Sequence, residues 1–369
     1  MKRIPLAKPY FTEEEVDEVR RTLNSGWVAQ GPRVKELEER IAEYTGAKHC
    51  IAVNSGTSAL HLSLLANGIS KGDKVIVPDF TFIATGNVVL HVGAEPVIVD
   101  IEPTTLCIDV DKVKEKVDDG VKAIIPVHTF GYPASIQDIN RIAEEYGLVV
   151  IEDAALALGS EVGGRKIGSH GNATCFSLQG RKVITTGEGG LVVTSNDEIA
   201  EMIKVYRSQG GFPQTGTQGG VNSTIFKMVG LSYRLSDIQA GIGLVQMRRI
   251  DDFIKRRIYL ARYYNDLFDD YGLDIQTPLT LEAVKQNYQT YVVLLNRGNR
   301  DKVILNLKDK GIESTIGTYS LNAQPLFHRR EEFPNSKYAF ERSLALPMYH
   351  ELTEEDILYI MKSIKSILS

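Results

Sequence analysis

Apolar residues along the chain recur in two rhythms. Between residues 50 and 152, short apolar runs at 50–53, 74–77, 96–99, 123–127 and 148–152 alternate with stretches of helical spacing at 58–66, 84–91, 109–116 and 136–146. Runs this short, with a helix between each pair, read as parallel strands covered on both faces. The pattern predicts an α/β fold whose central sheet is mostly parallel, with ligands bound at the carboxyl ends of the strands. Two helices, 13–23 and 34–44, precede it, joined by the turn SGWVAQGP. Downstream, Cys175, Phe176 and Leu178 read as a buried strand and 191–194 as another, flanking a polar, glycine-rich turn. The segment GGFPQTGTQGG, within 208–230, has too little apolar content for a core and reads as a loop. One long helix over 235–268, a strand in QTYVVLLN, and helices at 302–310 and 354–367 complete the pattern. These predict a large domain over 1–249 and a smaller α/β domain over 250–369.

Charge and composition narrow the function classes. Lys and Arg number 42 against 47 Asp and Glu, a net charge of -5, which gives no electrostatic reason to expect nucleic acid. An anionic small molecule must therefore be held by local groups. Cys50, Cys107 and Cys175 are too few and too scattered for a disulfide framework or a metal site, and the seven histidines are dispersed. The start MKRIPLAKPYF lacks an apolar leader and no long apolar run follows, so a reducing, cytoplasmic setting is expected, without membrane spanning.

Four segments place reactive residue types at predicted strand ends. In ATCFSLQGRKVITTGEGG, Lys182 lies in the turn after one strand, with the Ser177 hydroxyl five residues earlier. In VNSGTSALHLSLL a helix opens at Gly56 and Thr57, and its first amides are unpaired and electropositive; this suits a phosphate, and it also suits a plain cap by Ser55 or Thr57. In LVVIEDAALALG, Glu152 and Asp153 end a central strand, where an acid either faces the ligand crevice or caps the next helix. In PDFTFIATGNVVL, Phe82 follows a strand end, where a ring lies over a flat cofactor or packs in the core. A phosphate cradle, an acid, an aromatic lid and a lysine on one sheet edge together match the needs of pyridoxal 5'-phosphate (PLP).

SGWVAQGP, NSGTSAL, PDFTFIAT, GAEPVIVDIEP, VIEDAALALGS, CFSLQGRKVITTGEGG and GLSYRLSDIQAGIGLVQ resemble, in order and spacing, segments of the DegT-type (StrS-type) sugar aminotransferases, and the resemblance runs to the closing SLALPMYHELTEEDI. It implies the fold of aspartate aminotransferase (PLP fold type I). It implies that Lys182 holds PLP as a Schiff base, the internal aldimine, with pyridoxamine 5'-phosphate (PMP) as the aminated form. Asp153 becomes the partner of the pyridine nitrogen; Gly56, Thr57 and Ser177 contact the phosphate, and Phe82 stacks on the ring. Ser232 and Arg234, in GLSYRLSD, reach the phosphate of a neighbouring subunit, so a homodimer with shared sites is the smallest complete unit. The resemblance further implies glutamate as donor, leaving as 2-oxoglutarate, and a keto-sugar nucleotide as acceptor in amino-sugar and polysaccharide biosynthesis.

Trp27, His128 and Tyr319 are candidates for the substrate side. The chain departs from the family pattern at Leu156, where a Gln or His is usual, at Ser232, where Asn is usual, and in GTYSLNAQPLF, where many members have a His-Tyr pair. Dehydratases of the same fold have His in place of the lysine, and some relatives are regulators; retention of Lys182 sets the chain with the transaminases.

Overall fold

In a computed structural model, which describes residues 3–214 and 223–368, the alternating segment forms one seven-stranded sheet. Its strands are β1 (His49–Val53), β2 (Lys74–Pro78), β3 (Glu95–Val99), β4 (Val121–Ile124), β5 (Val149–Asp153), β6 (Ala173–Ser177) and β7 (Gly190–Thr194). The order across the sheet is β1-β7-β6-β5-β4-β2-β3. Only β7 runs against the others, and it separates β1 from β6. Both faces are buried, as the short apolar runs require. Ile51 and Val53 pack into a core on one face with the helices Gly56–Ala66, Ile83–His91 and Asp197–Arg207, while Cys50 and Ala52 enter a separate core with Val34, Leu37 and Ile41.

A second, four-stranded antiparallel sheet is built from Ile275–Gln276, Tyr291–Leu295, Ser343–Leu346 and Thr315–Ile316, in that order across the sheet. Its core also takes Ile4, which bridges to Ile312, so the N-terminal segment crosses to this unit. The stretch 235–268 differs from the single helix expected: Asp237–Met247 and Ile250–Asp270 are separate, with Arg248 and Arg249 between them. A contact with a distant segment sits at the break. Arg249 pairs with the buried Glu15, and Gln246 donates to Glu15 Oε1 at 2.6 Å, which ties the first helix to the N-terminal helix Glu13–Ser25. The second helix then serves two cores, the large-domain one through Phe253 and Ile254 and the small one through Leu260 and Tyr264.

The glycine-rich segment is also more ordered than a loop. Gly211–Gln214 pairs antiparallel with Ser223–Phe226; residues 215–222 of the predicted loop lie outside the described residues. The helix Pro334–Arg342, the strand Ser343–Leu346 and the helix Asp197–Arg207 escaped the pattern reading, although Asn196 caps the last through its side chain.

One cap comes from a distant residue. The helix Pro32–Thr45 starts at Gly31, which has no side chain to offer, and buried Asp237 accepts instead from the amides of Gly31 (2.7 Å), Arg33 (3.1 Å) and Val34 (3.0 Å). Replacing Asp237 with Ala leaves those amides unpaired, and should lower the free energy of unfolding by roughly 3 kcal/mol, measured by urea denaturation. A loss under about 0.5 kcal/mol would mean that the cap does not hold this helix.

Candidate active site

A cavity of about 460 Å³ opens at the carboxyl ends of the parallel strands, and the polypeptide around it comes from both units. Lys182, Asp153, Ser177, Gly56, Thr57 and Phe82 all line it, together with the backbone around His128. The sheet explains the convergence: β1 runs directly into Ser55 and Gly56, β5 ends at Asp153, and β6 ends at Ser177.

Asp153 is buried. Its Oδ2 accepts from Thr85 Oγ1 at 2.7 Å and its Oδ1 from the Ala155 amide at 3.2 Å. Burial pushes its pKa above the ordinary carboxylate value, and the Thr85 hydroxyl, the Ala155 amide and the Lys182 amine oppose that rise. Thr81 Oγ1 stands 2.9 Å from Thr85 Oγ1 and extends the chain of hydroxyls behind the acid. Thr85 was not singled out from the sequence, although it lies three residues after Phe82 on the same segment.

Lys182 sits in a turn whose backbone is tied at several points. Its amide donates to Gln179 O, Leu178 exchanges hydrogen bonds with Gly189 and Thr186, and Gln289 Nε2 reaches Arg181 O at 2.7 Å from the other unit. The amine is held away from bulk water, which pulls its pKa from 10.5 down to about 8; the Asp153 charge works against that fall, and Arg181 adds to it.

The helix Gly56–Ala66 presents its N-terminus beside Ser177. A Cβ on Gly56 would stand 3.0 Å from Ser177 Cβ, and one on Gly190 would stand 2.2 Å from Ser55 O, so the bare backbone is what lets β7 and this turn pack together. Ser55 caps the helix through the Ser58 amide, and Ser177 Oγ accepts from the Gln179 amide at 3.3 Å. The result is a pocket end with helix amides and hydroxyls and no basic cluster, a suitable place for a phosphate. These residues fit PLP.

Other candidates are placed differently. Phe82 is 59% exposed in the cavity wall, and Tyr319, which does not itself line the cavity, is exposed with its ring 6.3 Å from that of Phe82. The His128 ring points inward: Nε2 is 2.9 Å from Glu152 Oε2 and Nδ1 accepts from the Ala134 amide at 3.0 Å, which leaves neither nitrogen for a substrate. Trp27, Ser232 and Arg234 are exposed and do not line the cavity of their own chain. Leu156 puts an apolar side chain into the wall. Arg181 and Glu188, within the lysine-turn segment, and Thr315, Gly317 and Thr318, the last two within GTYSLNAQPLF, also contribute. Among the described residues no group of three or more His, Cys, Asp or Glu is placed to hold a metal ion, and no helix is long and apolar enough to cross a membrane.

Comparison with known proteins agrees with this geometry. The model of the DegT/DnrJ/EryC1/StrS aminotransferase family matches residues 9–365. The chain belongs to that family. It is 36% identical to GDP-perosamine synthase of Caulobacter vibrioides, over 99% of this chain and 98% of the relative. It is 34% identical to the spore coat polysaccharide biosynthesis protein SpsC of Bacillus subtilis, over 99% and 97%. Among solved structures, Spr1654 from Streptococcus pneumoniae superposes with a TM-score of 0.94 in its PMP form, at 28% identity and 99% coverage of both chains. Its PLP form gives 0.92, at 29% identity and 99% and 98% coverage. As a member of the DegT/DnrJ/EryC1/StrS family the chain is an aminotransferase, and its cofactor is PLP.

The environment of Lys182 predicts its reactivity. In the cofactor-free protein, acylation of Lys182 followed by peptide mass spectrometry should rise with pH through a midpoint near about 8 rather than 10.5. Because Asp153 favours the ammonium form, Asp153→Asn should move that midpoint to lower pH. An unchanged or higher midpoint in the variant would contradict the assigned electrostatics.

Proposed function

We propose that the chain transfers the amino group of glutamate to a keto-sugar carried on a nucleotide, in the cytoplasmic synthesis of an amino sugar for a surface polysaccharide. The observation that carries this reading is the convergence of Lys182, Asp153 and the helix N-terminus at Gly56 on one cavity. Bound there, PLP supplies an aldehyde that links to an amine and a ring that takes up the electron pair left when a proton departs from carbon.

The residues of the chain do the rest. Lys182 would hold the cofactor, and its amine, when free, would take the proton from the α-carbon of glutamate. A pKa of about 8 leaves a useful fraction of that amine unprotonated near neutrality, where an ordinary lysine has almost none. Asp153 holds a proton on the pyridine nitrogen, and Thr85 keeps its carboxylate oriented. The amides of Gly56 and Thr57 and the Ser177 hydroxyl bind the phosphate, and Phe82 covers the ring. The mouth, between Phe82 and Tyr319, admits the sugar. The relationship to GDP-perosamine synthase supports a nucleotide-linked acceptor.

Ser232 and Arg234 have a second proposed role. Both are exposed, and no side chain among the described residues pairs with Arg234, so a homodimer in which they complete the partner's phosphate site accounts for their position. A single assay addresses both proposals. With glutamate and a panel of GDP-, UDP- and dTDP-linked keto-sugars, the wild-type protein should release 2-oxoglutarate and an aminated sugar for at least one acceptor. Lys182→Ala and Arg234→Ala should each be inactive, and a refolded equimolar mixture should recover about a quarter of wild-type activity, because half the dimers then hold one intact site. No aminated product from any acceptor would contradict the substrate class; no recovery on mixing would contradict the shared site.

A further inference from the structure

A second, small cavity of about 20 Å³ lies on the other side of the lysine turn, and Lys182 belongs to the walls of both. Space of this size takes one water molecule or one small ion. Of the ten residues around it, Lys8, Lys182, Arg257 and His350 are basic and none is acidic.

Arg257 is the unusual member. It is only 6% exposed, and its protein partners are all carbonyls on one nitrogen: Nη1 donates to Tyr288 O (3.1 Å), Gln289 O (3.1 Å) and Met348 O (3.3 Å). Among the described residues its Nε and Nη2 make no hydrogen bond and no carboxylate forms an ion pair with it, and these two nitrogens are open to a water-sized molecule and not sealed in. Burial alone pulls its pKa down to about 10, with no acid near enough to offset the loss of hydration. His350 adds a second unmet group: Nδ1 is buried without a partner, and the ring is fixed between Tyr10 (4.7 Å) and Phe253 (5.1 Å). Burial and the nearby Arg256 hold the His350 pKa below its usual value, so the ring is neutral and has one N–H to donate.

Arg257 can only donate, His350 donates from Nδ1 in the tautomer that carries its proton there, and with Lys8 paired to Glu351 (2.6 Å) the uncompensated charge is that of Arg257. A water molecule would accept from two donors at most and would leave the charge uncompensated. A small anion accepts from all of them and supplies the missing counter-charge. We propose that this cavity is a binding site for a chloride-sized monovalent anion, held by Arg257 and His350 behind the lysine turn. The site joins five parts of the chain: the N-terminal segment through Lys8 and Tyr10, the lysine turn, Gln246 at the end of the helix Asp237–Met247, the helix Ile250–Asp270, and the segment of His350. A bound anion therefore ties the small unit to the turn that presents Lys182, and its charge acts on Lys182 in the same sense as Asp153.

The test uses the holoenzyme. Crystals soaked in sodium bromide and measured at the bromine absorption edge should show an anomalous peak within hydrogen-bonding distance of Arg257. In solution, the thermal midpoint should rise saturably with chloride or bromide against gluconate at constant ionic strength. His350→Phe keeps a ring against Tyr10 and Phe253 and removes the donor, so it should lose most of that rise. No bromide peak in the cavity at saturating halide, or a halide-dependent rise that is the same in His350→Phe as in the wild type, would overturn the site.

Discussion

Lys182 and Asp153 share a cavity in which burial acts on the two groups in opposite directions: it drives the amine toward its neutral form and the carboxyl toward its protonated form, while each charge supports the other. That balance is the constraint on which the rest of the site depends. A fully solvated Lys182 would stay protonated near neutrality and could not take a proton from carbon. Without Asp153 the amine would lose the charge that supports its ammonium form. The fold meets the constraint by ending β5 and β6 side by side, with Asp153 at one terminus and the turn that holds Lys182 just beyond the other.

The antiparallel strand β7 makes that turn possible. It brings the chain straight back from residues 178–189 and packs its first residue, Gly190, against the backbone of Ser55, so the lysine turn and the helix Gly56–Ala66 are set by one contact. The small unit closes the arrangement from the other side through Gln289, whose amide grips the Arg181 carbonyl, and through Tyr319, which pairs its backbone with Thr81 beside Phe82. The small unit thus touches both the lysine turn and the segment that carries Phe82.

Much of this was legible in the sequence, for a definable reason. The parallel strands are buried on both faces and end sharply, so the polar residues that follow each apolar run, Asn54 to Thr57, Asp153 and Ser177 to Lys182, could be placed at one sheet edge before any coordinates. What could not be read depends on contacts between distant segments. The break at Arg249 is made by Glu15, more than two hundred residues away; the cap at Gly31 is made by Asp237; and the inward turn of His128 follows from its partner Glu152, which its own segment does not reveal. The hairpin of Gly211–Gln214 with Ser223–Phe226 is made of two four-residue strands, too short to give an alternating pattern. Thr85 was the nearest miss, since its spacing from Thr81 places both hydroxyls on one side of a helix start.

The most direct test of the central claim, that Lys182 runs a transamination half-reaction in this cavity, is the absorbance spectrum of the purified protein before and after glutamate is added without any sugar. The account predicts a yellow protein whose long-wavelength band gives way to a shorter-wavelength one as the cofactor takes the amino group, with neither band formed normally in Lys182→Ala. A wild-type protein that stays colourless after incubation with PLP, or a Lys182→Ala variant that bleaches at the wild-type rate, would contradict it.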